Sequence, residues 1–216
     1  KEHPDASFVD IVKKAYFAKI NLCANGHFAA PDFVYDYETK KGRCSYYFVW
    51  AAVSTEVEID CLSGSLRVRR ADVVVDAGNS LNPAIDIGQW EGAFVQGMGL
   101  FTMEEPIWAR SDGHLRTRNV STYKIPAADD VPQEFHVHLL RHTPNERGGI
   151  YSQKSMGEMG IQSAVSVNLA ARAAVASYRE QELGQLDFHA LEAPVTSDRI
   201  TDAMPLSVER LDQFWV

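Results

Sequence analysis

Tyr151-Ser152-Gln153-Lys154-Ser155-Met156-Gly157-Glu158-Met159-Gly160-Ile161 joins an extended segment to an alanine-rich helical pattern. It sets one carboxylate, Glu158, between two glycines. Gly157 before it and Gly160 after it permit close backbone approach that a side chain would block. The carboxylate falls at the start of the following helix, where unpaired N–H groups and the helix dipole favour negative charge. On local sequence alone, Glu158 reads as a first-turn glutamate that stabilises its own helix. A second role depends on what the rest of the chain brings beside it.

Downstream, Ala164 to Glu182 reads as one long helix. Val165, Leu169, Ala173 and Ala176 form a narrow apolar stripe, and further alanines allow close packing. Upstream, Glu134 to Leu140 alternates, with Phe135, Val137 and Leu139 on one face and His136 and His138 on the other. Two histidines with His142 close by raise the question of a metal. No further ligand is fixed by spacing, and an exposed polar face accounts for them better. Thr122 to Pro126 reads as a short extended piece, Ser111-Asp112-Gly113 as a surface turn.

A second helix is expected from Pro83 to about Glu104, with Asn82 as N-cap and Pro83 at the first helical position. Gly88, Gly92, Gly97 and Gly99 lie inside it, each costing up to ~1 kcal/mol relative to Ala. Gly88 and Gly92 are one turn apart and give a smooth face. Close packing against a strand explains such a face, and so does a bulky ligand. Gln89, Ala93 and Gln96 are expected to share a face, so that an amide projects towards whatever rests there.

Before that helix, Val53, Thr55, Val57 and Ile59 alternate with Ser54, Glu56, Glu58 and Asp60, which predicts a strand with one wet face. Leu62 to Ser65 turns the chain, and Leu66 to Asp76 reads as the antiparallel return strand. Val73-Val74-Val75 lacks alternation and predicts cover on both faces. Near the start, Ser7 to Leu22 reads as an amphipathic helix capped by Ser7. A turn is expected at Lys40-Lys41-Gly42, and one or two short helices in the tail from Leu191, where Pro194 and Thr196-Ser197-Asp198 give the signals. The pattern is an α+β fold: an antiparallel hairpin and mixed strands packed with long glycine-rich and alanine-rich helices.

The 216 residues suffice for one large domain or two joined lobes. A net charge of −8 and a pI near 5.3 exclude a general nucleic-acid binder. No apolar run approaches the ~20 residues that span a bilayer. Lys1 to Asp5 does not read as a secretion signal, and the missing initiator Met predicts a processed chain or a fragment. Cys23, Cys44 and Cys61 are widely spaced and form no CxxC pair, which disfavours a zinc or iron–sulfur site held by this chain. Partly buried, reduced thiols in a cytoplasmic protein are expected, with a disulfide between two of them as the alternative.

Asp76-Ala-Gly-Asn-Ser-Leu-Asn-Pro-Ala-Ile-Asp-Ile-Gly-Gln89 and Glu91-Gly-Ala-Phe-Val-Gln-Gly-Met-Gly-Leu-Phe-Thr102 resemble the molybdenum hydroxylases, namely xanthine dehydrogenase and aldehyde oxidase. Glu56 to Cys61, Thr122 to Ala127 and Lys154 to Glu158 support the resemblance in family order, from near Ala15 to about Arg179. The resemblance implies that residues 1–216 are the C-terminal part of a molybdopterin-binding region. It implies further parts of the same enzyme that carry 2Fe-2S clusters and FAD and the earlier half of the molybdenum region. It also implies a homodimer of the full enzyme.

By the same resemblance the catalytic glutamate is Glu158, and Gly157 and Gln89 are cofactor-binding. Lys154 matches a family lysine without an assigned role, and no metal ligand comes from this chain, since the pterin's sulfurs hold the molybdenum. The implied reaction is hydroxylation of a purine (xanthine, hypoxanthine) or a related N-heterocycle with water-derived oxygen. A base that removes the water's proton makes that oxygen nucleophilic. Met159-Gly160 after the glutamate resembles aldehyde oxidases, whereas Leu139 to Asn145 and Phe101 to Glu105 look more like xanthine dehydrogenase. Oxidation of aldehydes to carboxylic acids, a non-catalytic scaffold lobe and a stand-alone small-ligand binder are the alternatives. The isolated chain is expected to be inactive.

Overall fold

The computed structural model describes residues 5–32, 34–185 and 190–206. The chain divides into two units, Lys1–Tyr46 and Tyr47–Val216.

In the first unit, α1 (Phe8–Phe17) begins at Ser7, whose side chain accepts from the Asp10 amide at 3.3 Å. The expected helix to Leu22 stops earlier: Ala18 closes it and Lys19 turns to φ 57°. None of its side chains is buried. The turn expected at Lys40 to Gly42 lies slightly earlier. Asp36 caps it by accepting from the Glu38 and Thr39 amides, so that β1 (Tyr35–Asp36) and β2 (Lys41–Gly42) pair antiparallel.

The second unit is built on a mixed sheet in the order β3-β4-β5. β3 (Ala51–Ile59) and β4 (Leu66–Val75) form the expected antiparallel hairpin, with a register shift between Glu56 and Val57. Burial alternates along β3 as its sequence requires. The valine run in β4 departs from expectation. Val73 and Val75 are fully buried, but Val74 is 39% exposed, so this strand is covered on one face only.

α2 (Pro83–Thr102) carries the chain across to β5 (Glu134–Leu139), which runs parallel to β4. Asn82 caps α2, accepting from the Ile85 amide at 3.4 Å. Phe135, Val137 and Leu139 turn inward along β5, while His136 and His138 are exposed and stack on each other at 6.5 Å. The expected extended piece begins in a turn at Thr122, held by Asn119 and the Thr122 hydroxyl, and Lys124 to Pro126 pairs with no described strand.

The expected third helix is α4 (Val165–Leu183), and a separate short helix, α3 (Met159–Ser163), precedes it and meets it at Ala164. α4 also turns the other way round: Val167, Ala171, Val175 and Tyr178 are buried, whereas Val165 and Leu169 are 41% and 56% exposed. Val167 joins Val68, Ala71, Phe94, Met98 and Ala164 in the core between sheet and helices. Fully burying side chains such as Phe94 contributes roughly 1.5–3 kcal/mol each. A short α5 (Ser197–Ala203) closes the lower end of α4, where Ile200 and Ala203 pack on Val175 and Tyr178.

Where the helices cross, glycine sets the spacing. A Cβ on Gly97 would stand 2.8 Å from the Ala164 Cβ, and one on Gly160 would stand 2.7 Å from the Trp90 carbonyl oxygen. α3 therefore lies directly against α2. The cysteines depart from expectation in exposure: Cys23, Cys44 and Cys61 are free and all exposed. No described helix is long and apolar enough to cross a membrane.

Candidate active site around Gln89 and Glu158

The segment before Glu158 runs beside the end of β4. Lys154 donates its amide to the Ala77 carbonyl at 2.9 Å, and the Asn79 amide donates to the Ser152 carbonyl at 3.0 Å. To lie there, Tyr151 and Ser152 adopt φ of 52° and 61°, left-handed values unusual for residues with a side chain. Such backbone persists only where surrounding bonds over-determine it. Asn145 supplies one, its amide donating to the Ser152 carbonyl at 3.0 Å.

Two side chains fasten the segment. Lys154 is buried and its ammonium meets Asp76 Oδ2 at 2.5 Å. Burial pushes the Asp76 carboxyl up. The Lys154 hydrogen bond, the Gly78 amide and the Lys154 charge outweigh it, and the net direction is downward. Asp76 is thus an ionised carboxylate at neutral pH. Gln153 makes the second tie. Its Oε1 accepts from the Leu81 amide at 3.1 Å, and its Nε2 donates to Asp86 Oδ1 at 3.1 Å. Asp86, buried in the first turn of α2, also accepts from the Ser80 hydroxyl.

With those ties made, Met156 drops into the core beside Trp90, Val75 and Ala77. Gly157 then reaches α2: a Cβ there would stand 3.4 Å from Oε1 of Gln89. The two residues expected at the cofactor, Gln89 and Gly157, are therefore neighbours, and Glu158 follows at the N-cap of α3.

The Glu158 carboxylate is exposed and makes no capping hydrogen bond to its own helix. The simplest local role, a side chain that pairs the first free amides, is thus not the one it performs. Lys154 does not point towards Glu158's carboxylate as a charge partner; its ammonium is committed to Asp76.

The glycine face of α2 divides in two. Gly97 and Gly99 serve packing, Gly97 against α3 and Gly99 against Pro126. Gly88 and Gly92 have nothing within 4 Å of where a Cβ would be. Gln89 and Gln96 share this open face, but Ala93, expected with them, is buried beneath α3 instead. An open, side-chain-free strip bounded by the Gln89 amide and Gly157 suits a bulky polar group laid along the helix. Among the described residues no group of three or more His, Cys, Asp or Glu is placed to hold a metal ion. What the chain offers such a group is hydrogen bonding and shape.

Asp86 and Gln153 were not foreseen as site residues. An aspartate in a first helical turn reads as a dipole partner, and nothing in the spacing shows that it faces Gln153 from 67 residues away.

A family model of the molybdopterin cofactor-binding domain matches residues 1–132. The chain belongs to that family. The matched residues include Gln89 and Asp86. Xanthine dehydrogenase/oxidase of Gallus gallus is 48% identical over 197 residues, 91% of this chain and 14% of that protein. Aldehyde oxidase 3 of Mus musculus is 44% identical over 200 residues, 93% of this chain and 15% of that protein. The chain therefore spans about one seventh of these relatives. Among solved structures, quinoline 2-oxidoreductase from Pseudomonas putida 86 aligns with a TM-score of 0.59 and 30% identity, over 68% of this chain and 17% of that one. The α+β architecture of this molybdopterin-binding domain is thus that of the molybdenum hydroxylases.

Proposed function

We propose that this chain is the part of a molybdenum hydroxylase that supplies the catalytic base and one wall of the cofactor site. The observation that carries the reading is the approach of Gly157 to Gln89 on the helix with the open glycine strip, with Glu158 next in the chain at the N-cap of α3. The bound molybdenum cofactor supplies the two-electron oxidation and the oxygen-activating centre.

Gln89 would hold the cofactor through its amide, and Gly88, Gly92 and Gly157, which bring no side chains, would leave room for it. Glu158, free of any capping bond, takes the proton from the attacking water-derived oxygen as the substrate carbon is hydroxylated. The ties made by Lys154 and Gln153 hold the base on a rigid support, so that little rearrangement is needed in the transition state.

The substrate class is a purine or related N-heterocycle, in line with the xanthine dehydrogenase/oxidase relative at 48% identity. Met159-Gly160 after the glutamate, with the aldehyde oxidase 3 relative at 44%, favours aldehydes as the second reading. Residues 1–216 act as the C-terminal part of the molybdopterin region. The remaining parts of the enzyme bring 2Fe-2S clusters and FAD for electron transfer, in a cytoplasmic homodimer. The exposed Phe48, Trp50, Val165 and Leu169 are consistent with a chain that has neighbours in the complete protein.

The test is to purify the complete protein, measure its molybdenum, and assay xanthine and an aromatic aldehyde with an artificial electron acceptor. Oxidation of xanthine in proportion to molybdenum is expected. Fully loaded protein that oxidises neither compound would overturn the proposal.

A further inference from the structure

Gln153 stands where the two halves of the candidate site meet. Its carboxamide accepts from the Leu81 amide and donates to Asp86, both at 3.1 Å. Asp86 lies one turn before Gln89 on α2, and Gln153 lies four residues before Gly157 on the opposing segment. One side chain therefore bonds the helix that carries the amide to the strand-like segment that carries the base. The strained φ values at Tyr151 and Ser152, directly before it, show that this segment is held rather than relaxed.

We infer that Gln153 is a positioning residue of this site, fixing the separation between Gln89 and the Gly157-Glu158 pair through its bonds to Asp86 and Leu81. The inference rests on the reading of Glu158 as base. The chemistry at both ends demands a carboxamide. Asp86 is an acceptor and needs a donor, while the Leu81 N–H needs an acceptor, and only an amide side chain offers both at that length. A glutamate in its place would face Asp86 with like charge. Methionine would keep the volume and lose both bonds.

The experiment compares Gln153→Glu, Gln153→Met and the swap Gln153→Glu with Asp86→Asn in the complete, molybdenum-loaded protein, with Glu158→Gln beside them. The swap restores a donor facing an acceptor with its polarity reversed. Gln153→Glu should lose up to ~10²-fold in kcat above neutral pH, the scale of a misplaced catalytic group. It should regain rate as the pH falls, because the two facing carboxyls then share a proton. Gln153→Met should lose kcat without that pH dependence, and the swap should restore most of the rate across the range. In cofactor-free protein, hydrogen exchange at the Leu81 amide should quicken in Gln153→Met and slow again in the swap.

A wild-type rate and pH profile in Gln153→Glu and Gln153→Met would overturn the inference. So would a swap that recovers Leu81 protection but not the rate. If Glu158→Gln also keeps the wild-type rate, the fault lies with the base assignment. If Glu158→Gln is inactive while Gln153→Met is normal, the positioning role alone falls.

Discussion

Gly157 and Gln89 face each other so closely that a single methyl on the glycine would meet Oε1 of the amide at 3.4 Å. That is ordinary van der Waals contact. Gly157→Ala should therefore fold normally, with a stability change within about ±0.5 kcal/mol. Because the methyl would occupy the mouth of the site, molybdenum retention or substrate affinity should fall. Gly160→Ala should behave oppositely. Its Cβ would stand 2.7 Å from the Trp90 carbonyl oxygen, and overpacking of that kind costs roughly 1–3 kcal/mol. Thermal unfolding of the two variants beside their metal content separates a site glycine from a packing glycine.

Gly88 and Gly92 give the complementary case. Nothing lies within 4 Å of a Cβ at either position, so alanine fits and favours the helix by up to ~1 kcal/mol each. The double variant of the isolated chain should unfold at a higher temperature. In the complete protein the same methyls would crowd the strip proposed for the cofactor, and molybdenum content should drop. Higher stability together with undiminished molybdenum would show that the strip does not receive the cofactor.

The hairpin, the cap at Asn82 and the alternation in β5 were legible because each is decided locally, by period and by capping chemistry. α4 was not. Val165, Leu169, Ala173 and Ala176 have the same spacing as Val167, Ala171, Val175 and Tyr178, on opposite sides of one helix. Sequence period cannot choose between two equivalent stripes; the contact of Gly97 with Ala164 and the core around Phe94 choose. Val74 was misread for a related reason, since a valine run looks the same whether a strand is covered on one face or two. In the site, Gln89, Gly157 and Glu158 came from resemblance. Asp86 and Gln153 meet only in three dimensions and left no local signal.

Lys154 and Asp76 predict a pH-dependent loss of stability when the pair is broken. The folded Asp76 pKa is depressed, so its contribution is present above the unfolded value near 3.8 and is lost as pH falls through the folded value. Lys154→Met would remove the hydrogen bond and the charge that help hold the carboxyl down, leaving the Gly78 amide against burial. The contribution of Asp76 above its unfolded value should then shrink, so that the deficit against wild type grows as the pH rises from acid to neutral. Breaking a buried pair by removing one partner costs ~3–5 kcal/mol, and the residual exposure of this pair places it towards the lower figure. Denaturant titrations of the isolated chain between acid and neutral pH should show the variant's deficit against wild type greatest at neutral pH. A Lys154→Met stability curve parallel to wild type would contradict this account of the pair.

Glu158 bears the central claim. Glu158→Gln keeps the volume and polarity of the side chain and removes the base. Since the carboxylate makes no capping bond, the fold should be unaffected beyond the ~0.3–1 kcal/mol of a first-turn charge. The most direct measurement is a single turnover of the complete, molybdenum-loaded protein, following reduction by substrate with metal content determined in the same sample. Full molybdenum and a reduction rate lower by ~10²–10⁴-fold, the contribution of a positioned general base, are expected. A wild-type rate of reduction in Glu158→Gln at full molybdenum would contradict the role of Glu158 as base.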